Sequence, residues 1–339
     1  MRALSPITMD IFPTQYSTLS SVALKVFLEK QYGFKDMTCQ LLIHNVSDTY
    51  VLDNGIEKYV FKIYRDQHRK LEEIKGEVEL LNALIDKGAK VSYPIKDLTG
   101  NQIQTFNAAE GIRYGVLFSY AKGKVFNELS DEQLGIIGQE MAAIHNITAN
   151  ITLSHYRKEF NIDTTINLPL KVIKEAFNEL ETEYAYLTNT AEEVIAKLGQ
   201  FDLSKFSYGY CHYDFLPKNF HFDEDNNITF FDFDFSGKGY LANDITSFYI
   251  HFFMDVSYNR LTKTEADRAF NIFIENYRKV KPLHDDELKA IPYLGFAFWV
   301  FYLGFQYENF DDWSSIFFGP KFLKDRVALI RKWMNSFEE

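Results

Sequence analysis

Two segments concentrate carboxylates and an amide among apolar neighbours: Cys211-His212-Tyr213-Asp214-Phe215-Leu216-Pro217-Lys218-Asn219 and Phe230-Phe231-Asp232-Phe233-Asp234. A carboxylate taken out of water without a partner is strongly destabilising, so groups of this kind imply a cation or one another as partners. Phe220 to Asp223 and Ile228 to Phe231 read as short strands around the turn-forming Glu224-Asp225-Asn226-Asn227. In a hairpin closed by that four-residue loop, Asn219 falls opposite Asp232. Directly opposed residues have Cβ atoms roughly 5 Å apart. An amide oxygen and a carboxylate at that separation suit one hard, oxygen-seeking cation such as Mg²⁺. Asp214 stands upstream of Asn219, at the entrance to the same site. A solvated acidic hairpin is the plain alternative.

The elements that must position these groups begin near the N-terminus. Lys58-Tyr59-Val60-Phe61-Lys62-Ile63-Tyr64-Arg65 is β-prone and sets Lys62 between bulky apolar neighbours, although a bare strand lysine is more often an exposed edge residue. The next helix, from about Leu71 to Lys87 with Gly88 as its C-cap, has an apolar stripe of Ile74, Val78, Leu81, Leu84 and Ile85. Glu77 falls on that stripe, so its carboxylate projects from the buried face and requires a cation. Lys62 is the first candidate for that pair, with Glu73 as the fallback carboxylate. Ser130 to Gln133 has capping-box spacing before a helix marked by Leu134, Ile137, Met141 and Ile144, where His145 reads as a packed or capping residue. A further helix is expected over Leu170 to Leu187, from the stripe Ile173, Phe177, Leu180, Tyr184 and Leu187.

The His212, Asp214, Asn219 and Asp232 constellation resembles the catalytic core of the aminoglycoside phosphotransferase and choline kinase group, the small-molecule branch of the protein-kinase-like fold. Within that group it looks nearest to the homoserine kinase and stress-response kinase branches. Where the family's loop usually carries Gly, this chain has Tyr213. The resemblance implies an α+β, two-lobed fold: an N-terminal nucleotide-binding lobe over 1–117 with a small sheet and one helix, a hinge over 118–123, and a mainly helical catalytic and acceptor-binding lobe over 124–339. It implies ATP and Mg²⁺ as cofactors, Asp214 as the base that orients an acceptor hydroxyl, Asn219 and Asp232 as metal ligands, and His212 as a brace for the loop. Asp244 matches a family Asp that anchors the catalytic loop. Lys62 and Glu77 become the pair that positions the α- and β-phosphates. The Ser119 carbonyl and Ala121 N–H become the adenine-binding groups of the hinge. Leu42 to Tyr50 takes the place of the phosphate-covering loop, without glycine, its backbone N–H groups facing phosphate.

The chain has 339 residues, 46% of them hydrophobic, enough for two cores, with no low-complexity tract. Its net charge of −11 argues against a nucleic-acid partner and is compatible with a cationic acceptor. Tyr307-Glu308-Asn309-Phe310-Asp311-Asp312-Trp313 mixes carboxylates with rings, a composition suited to an ammonium group or to an acidic surface loop. Two cysteines, Cys39 and Cys211, make no disulfide framework, and without a secretory segment the reading is cytoplasmic. The apolar run Ile291 to Phe305 is too short for a membrane span and reads as a buried helix.

The expected activity is an ATP- and Mg²⁺-dependent phosphotransferase moving the γ-phosphate to a hydroxyl of a small, amine-bearing molecule. A Ser/Thr protein kinase is the second reading, disfavoured by the short segment between Asp232 and Asp244. A metal-dependent hydrolase built on His212, Asp214, His221, Asp223 and Asp232 is the third, and it leaves Lys62 and Glu77 without a role.

Overall fold

The computed structural model describes residues 14, 16–66, 68–126, 128–309 and 318–337. They divide into two compact units, the described residues of Met1–Leu71 with Pro94–Tyr120, and those of Glu72–Tyr93 with Ala121–Glu339.

The first unit is an antiparallel sheet of β1 (Thr38–His44), β2 (Ser47–Asp53), β3 (Lys58–Tyr64), β4 (Ile103–Ala108) and β5 (Gly111–Ser119), in the order β1-β2-β3-β5-β4. The β-branched and aromatic run 59–64 thus becomes the central strand, and Lys62 is paired on both sides, to Thr49 and Val116. Helix α1 (Ser21–Tyr32) starts at the Ser20 cap and stops at Gly33, whose φ of 76° is the left-handed turn that ends a helix. It buries Leu24, Leu28 and Tyr32 against Tyr50, Leu52, Phe61, Ile63 and Leu117 of the sheet. Asp48, fully buried beside the β1–β2 turn, is held by Arg113 Nη1 at 3.1 Å and His44 Nδ1 at 2.7 Å.

The second unit is mainly helical: α2 (Leu71–Asp86), α3 (Asp131–Thr148), α4 (Leu168–Ile173), α5 (Glu181–Leu198), α6 (Ala242–Ser257), α7 (Lys263–Val280), α8 (Asp285–Lys289), α9 (Ile291–Asn309) and α10 (Pro320–Asn335). Two short ribbons complete it, β6 (Tyr208–Cys211) paired with β9 (Gly237–Tyr240), and β7 (Phe220–Phe222) paired with β8 (Ile228–Phe230). The capping box at Ser130 and Gln133 starts α3, which packs on α7. Helix α9 lies against α4, α5, α6 and α10, so its nearly continuous apolar sequence is a core helix; no described helix is long and apolar enough to cross a membrane.

The helix expected over 170–187 is broken. Chain 168–173 is α-helical, 174–177 tightens into a 3₁₀ turn, and Leu180 leaves helical geometry at φ −134° before α5 begins. Ile173, Phe177 and Leu180 are buried on both sides of the break. Because 3₁₀ and α turns bring back a side chain every three to four residues, the apolar spacing is the same in either.

Candidate active site

The loop between β6 and β7 is tied to the start of α6. Asp244, 1% exposed, accepts the backbone N–H of His212 at 2.8 Å and of Tyr213 at 2.7 Å, and His145 Nε2 lies 3.0 Å from it. Tyr213 adopts φ 69°, the left-handed region where a side chain is disfavoured and glycine is at ease. Its ring offsets that strain by stacking on Phe160, centroids 3.7 Å apart at 8°. His212 Nε2 donates to the Phe231 carbonyl at 2.9 Å, which joins the loop to the end of β8.

Asp214, 3% exposed, is held on one side only. Its Oδ2 accepts from Asn219 Nδ2 and from Lys218 Nζ, each at 2.8 Å, whereas Oδ1 is buried with no hydrogen-bond partner among the described residues. Asn219 Nδ2 also donates to the Asp214 carbonyl at 2.8 Å, which commits the amide nitrogen and leaves the amide oxygen for another ligand.

The hairpin register differs from the sequence expectation by one residue. Asp223 N–H donates to the Asn227 carbonyl at 3.1 Å, closing a three-residue loop in which Asn226 takes φ 59°. Phe220 then pairs with Phe230, and Asn219 stands opposite Phe231, whose N–H it accepts at 2.9 Å. The Asp223 side chain decides this register by accepting the N–H groups of Asp225 and Asn227, an Asx turn that shortens the loop. Asp232 follows with φ 61° and ψ 58°, a left-handed residue that turns the chain into the Phe233–Phe235 turn.

Lys62 is 8% exposed on β3 of the first unit, its Nζ 5.2 Å from the Tyr64 ring centroid. Ser119 ends β5 opposite Tyr59, and Ala121, in the second unit, accepts His221 Nδ1–H on its carbonyl at 2.8 Å. Glu77, 1% exposed on α2, has a neighbour the sequence did not disclose: Arg157 Nη1 is 4.0 Å from its Oε2. The Arg157 guanidinium donates to the carbonyls of Glu73 (2.8 Å), Phe233 (3.1 Å), Asp234 (2.6 Å) and Ser236 (2.7 Å), fastening α2 to the chain just after Asp232. Gly76 makes this possible, since a Cβ there would collide with the Tyr156 carbonyl and the Arg157 side chain. Arg157→Lys keeps the charge but not the planar fork, so it should lower unfolding free energy by about 2–4 kcal/mol, read by urea denaturation.

A cavity of about 1100 Å³ in the second unit reaches from Asp214 and Lys218 to α6, α7, α9 and α10. Tyr302 of α9 lines it with its hydroxyl buried. Burial pushes the Tyr302 hydroxyl pKa well up, and the neighbouring Asp214 pushes it further, by its negative charge and as an acceptor within reach of that hydroxyl. Phe298, Trp299 and Arg326 line the same cavity. None of these carries a motif; only the helical spacing of 298, 299, 302 and 306 on α9 marks a shared face. Of the acidic-aromatic segment 307–313, residues 310–313 lie outside the described residues. The ligand set of a hydrolase is not gathered: His221 bonds Ala121, Asp223 shapes its turn, and among the described residues no cluster of three His, Cys, Asp or Glu side chains could hold a metal.

A small antiparallel sheet with a lysine on its central strand, and a helical unit with a braced aspartate loop, define a protein-kinase-like phosphotransferase. The chain belongs to the phosphotransferase enzyme family, which it matches over residues 39–283. Among solved structures, a microcompartment-associated aminopropanol kinase has a TM-score of 0.75 at 19% identity, covering 93% of this chain and 98% of that one. An amicoumacin kinase in complex with AMP-PNP and Ca²⁺ has a TM-score of 0.69 at 20% identity, covering 94% and 92%. A homoserine kinase of Methylobacillus glycogenes is 23% identical over 262 residues, 74% of each chain. The resemblance drawn from the 212–219 and 230–234 segments, the α+β kinase-like fold, and a phosphotransferase with an alcohol group as acceptor are all borne out.

Proposed function

We propose that this chain transfers the γ-phosphate of ATP, with Mg²⁺, to a hydroxyl of a small, amine-bearing molecule. Asp214 Oδ1 carries the reading: a buried carboxylate oxygen that makes no hydrogen bond among the described residues, with the likewise unbonded Tyr302 hydroxyl as its neighbour, on a residue that lines a cavity large enough for a metabolite. A substrate O–H is the group such an oxygen lacks. Asp214 orients that hydroxyl and accepts its proton as the phosphoryl group arrives, while Asn219 and Lys218 fix the other oxygen.

The donor set fits a hard cation. The Asn219 amide oxygen, freed by the commitment of its nitrogen to Asp214, and the Asp232 carboxylate are the groups that would hold Mg²⁺. Bound there, the metal would neutralise charge on the phosphate oxygens. Lys62, with Glu77 as its carboxylate, would bind the α- and β-phosphates, and the Ser119 carbonyl and Ala121 N–H would take adenine. Nucleotide use is supported by the AMP-PNP named with the amicoumacin kinase, and an amine-bearing acceptor by the aminopropanol and homoserine named for the other two proteins. A protein acceptor is disfavoured because the chain after Asp232 runs directly into β9, paired with β6.

The test is ADP release from ATP and Mg²⁺ across amino alcohols, hydroxy-amino acids, amino sugars, aminoglycosides and a generic Ser/Thr protein substrate. Acceptor-dependent release supports the reading, and release with the protein substrate alone replaces it. Asn219→Ala and Asp232→Ala should raise the Mg²⁺ concentration for half-maximal rate about tenfold or more. Unchanged metal titrations would remove both residues from the metal site.

A further inference from the structure

The charges around the cavity do not cancel. Asp131 holds Arg268 through two 2.8 Å bonds, Asp255 is bound by Arg260 Nε at 2.6 Å and His251 Nε2 at 3.3 Å, Asp214 has Lys218, and Glu265 closes the capping box of Thr262. Arg326 lines the same cavity with its guanidinium 5.2 Å from the centroids of both Trp299 and Phe322, and no carboxylate among the described residues is in ion-pair contact with it. Burial depresses its pKa, which the nearby Tyr258 only partly offsets. A guanidinium half-removed from water without a counter-ion is an unfavourable arrangement unless a ligand supplies the anion.

Trp299 provides an independent sign. It is 5% exposed, it lines the cavity, and its indole Nε1–H is buried without an acceptor among the described residues. An indole N–H and a guanidinium only donate, so the two neighbours lack the same thing, an acceptor oxygen, and Arg326 requires that it carry negative charge. Trp299 stands three residues before Tyr302, whose hydroxyl feels the Asp214 carboxylate. Residues at that helical spacing have Cβ atoms about 5–6 Å apart, which places the donor pair within a short molecule's length of the reacting end.

We infer that the acceptor carries a carboxylate, bound by Arg326 and the Trp299 indole N–H, while its hydroxyl faces Asp214. Resting on the phosphotransferase reading above, this narrows amine-bearing alcohols to hydroxylated amino acids of short reach. Glu128, exposed at the cavity with no ion pair among the described residues, is the carboxylate left for the ammonium group.

Matched acceptors that differ only in the carboxylate test it: homoserine against 3-aminopropan-1-ol, and serine against ethanolamine. Binding is measured by calorimetry on the full chain with AMP-PNP and Mg²⁺, and kcat and KM by ADP release. The carboxylate-bearing member of at least one pair should be favoured about 30-fold or more in kcat/KM and in affinity. Arg326→Gln should collapse that ratio mainly through KM, Arg326→Lys should keep part of it, and Trp299→Phe should lower it about fivefold. Melting temperature and AMP-PNP affinity establish that each variant is folded. A wild-type ratio near or below one, or a ratio that Arg326→Gln leaves intact, overturns the inference and leaves the kinase reading standing. Carboxylate binding that depends on Arg326 without any ADP release does the opposite. Absence of binding by every carboxylate member also overturns the inference.

Discussion

Asp214→Asn should lower kcat by about 10³–10⁴-fold while AMP-PNP affinity stays within about twofold of wild type. The substitution is nearly isosteric, so the loop keeps its shape and the effect is chemical. Asn219 Nδ2 and Lys218 Nζ are both donors, and both face Oδ2. An asparagine would turn its carbonyl oxygen toward them and present its NH₂ where Oδ1 stands. That oxygen accepts no hydrogen bond among the described residues. A donor in its place can neither take the proton of the acceptor hydroxyl nor orient its lone pair towards phosphorus. Rates from single-turnover experiments separate the chemical step from product release, and the loss belongs in the former. Turnover within about tenfold of wild type would remove Asp214 from proton transfer and leave it a structural partner of Asn219.

The parts of the site that were legible in the sequence are those whose chemistry is local. Asp214 and Asn219 share one short loop, so their contact follows from chain connectivity. Lys62 on an inner strand and Glu77 on the buried face of α2 followed from strand propensity and helical periodicity. The hairpin register was lost because it is set by the Asp223 side chain capping its own turn and by the left-handed Asn226, a choice between three- and four-residue loops that composition leaves open. Arg157 was invisible for another reason. It acts through main-chain carbonyls of residues 73 and 233–236, which have no side-chain signature, and it lies far from them in sequence. Tyr302, Trp299 and Arg326 come from helices well downstream of the motif, where a ring on an apolar face has the same spacing whether it packs in a core or lines a cavity.

The left-handed residues Tyr213 and Asp232 sharpen the point. Each departs from the backbone region most residues prefer, by about 1–3 kcal/mol where the side chain is bulky; Tyr213 precedes the proposed base Asp214, and Asp232 is itself the proposed metal carboxylate. Local preference fails at both positions, so the surrounding structure has to impose the conformation.

Asp244 is the residue that imposes it at Tyr213, and Asp244→Ala should lower unfolding free energy by about 3–5 kcal/mol, read by urea denaturation with its slope unchanged. Three donors converge on this carboxylate inside the second unit, the His212 and Tyr213 N–H groups and His145 Nε2. With Nε2 carrying the proton toward Asp244, His145 Nδ1 accepts the Tyr277 hydroxyl at 2.9 Å, so the chain of bonds runs from α7 through α3 to the loop that carries Asp214. Alanine leaves all three donors buried and unpaired, and it removes the bond that holds Tyr213 at positive φ. The loop would then relax toward a favoured backbone conformation and carry Asp214 with it, so kcat should fall as well, by a smaller factor than in Asp214→Asn, and with a weakened affinity for the acceptor. Asp244→Asn keeps one acceptor oxygen for the backbone and should lie between the two. A variant Asp244→Ala whose stability stays within about 1 kcal/mol of wild type would mean that water replaces the carboxylate, and the strain at Tyr213 would have to be carried by its stack on Phe160 alone.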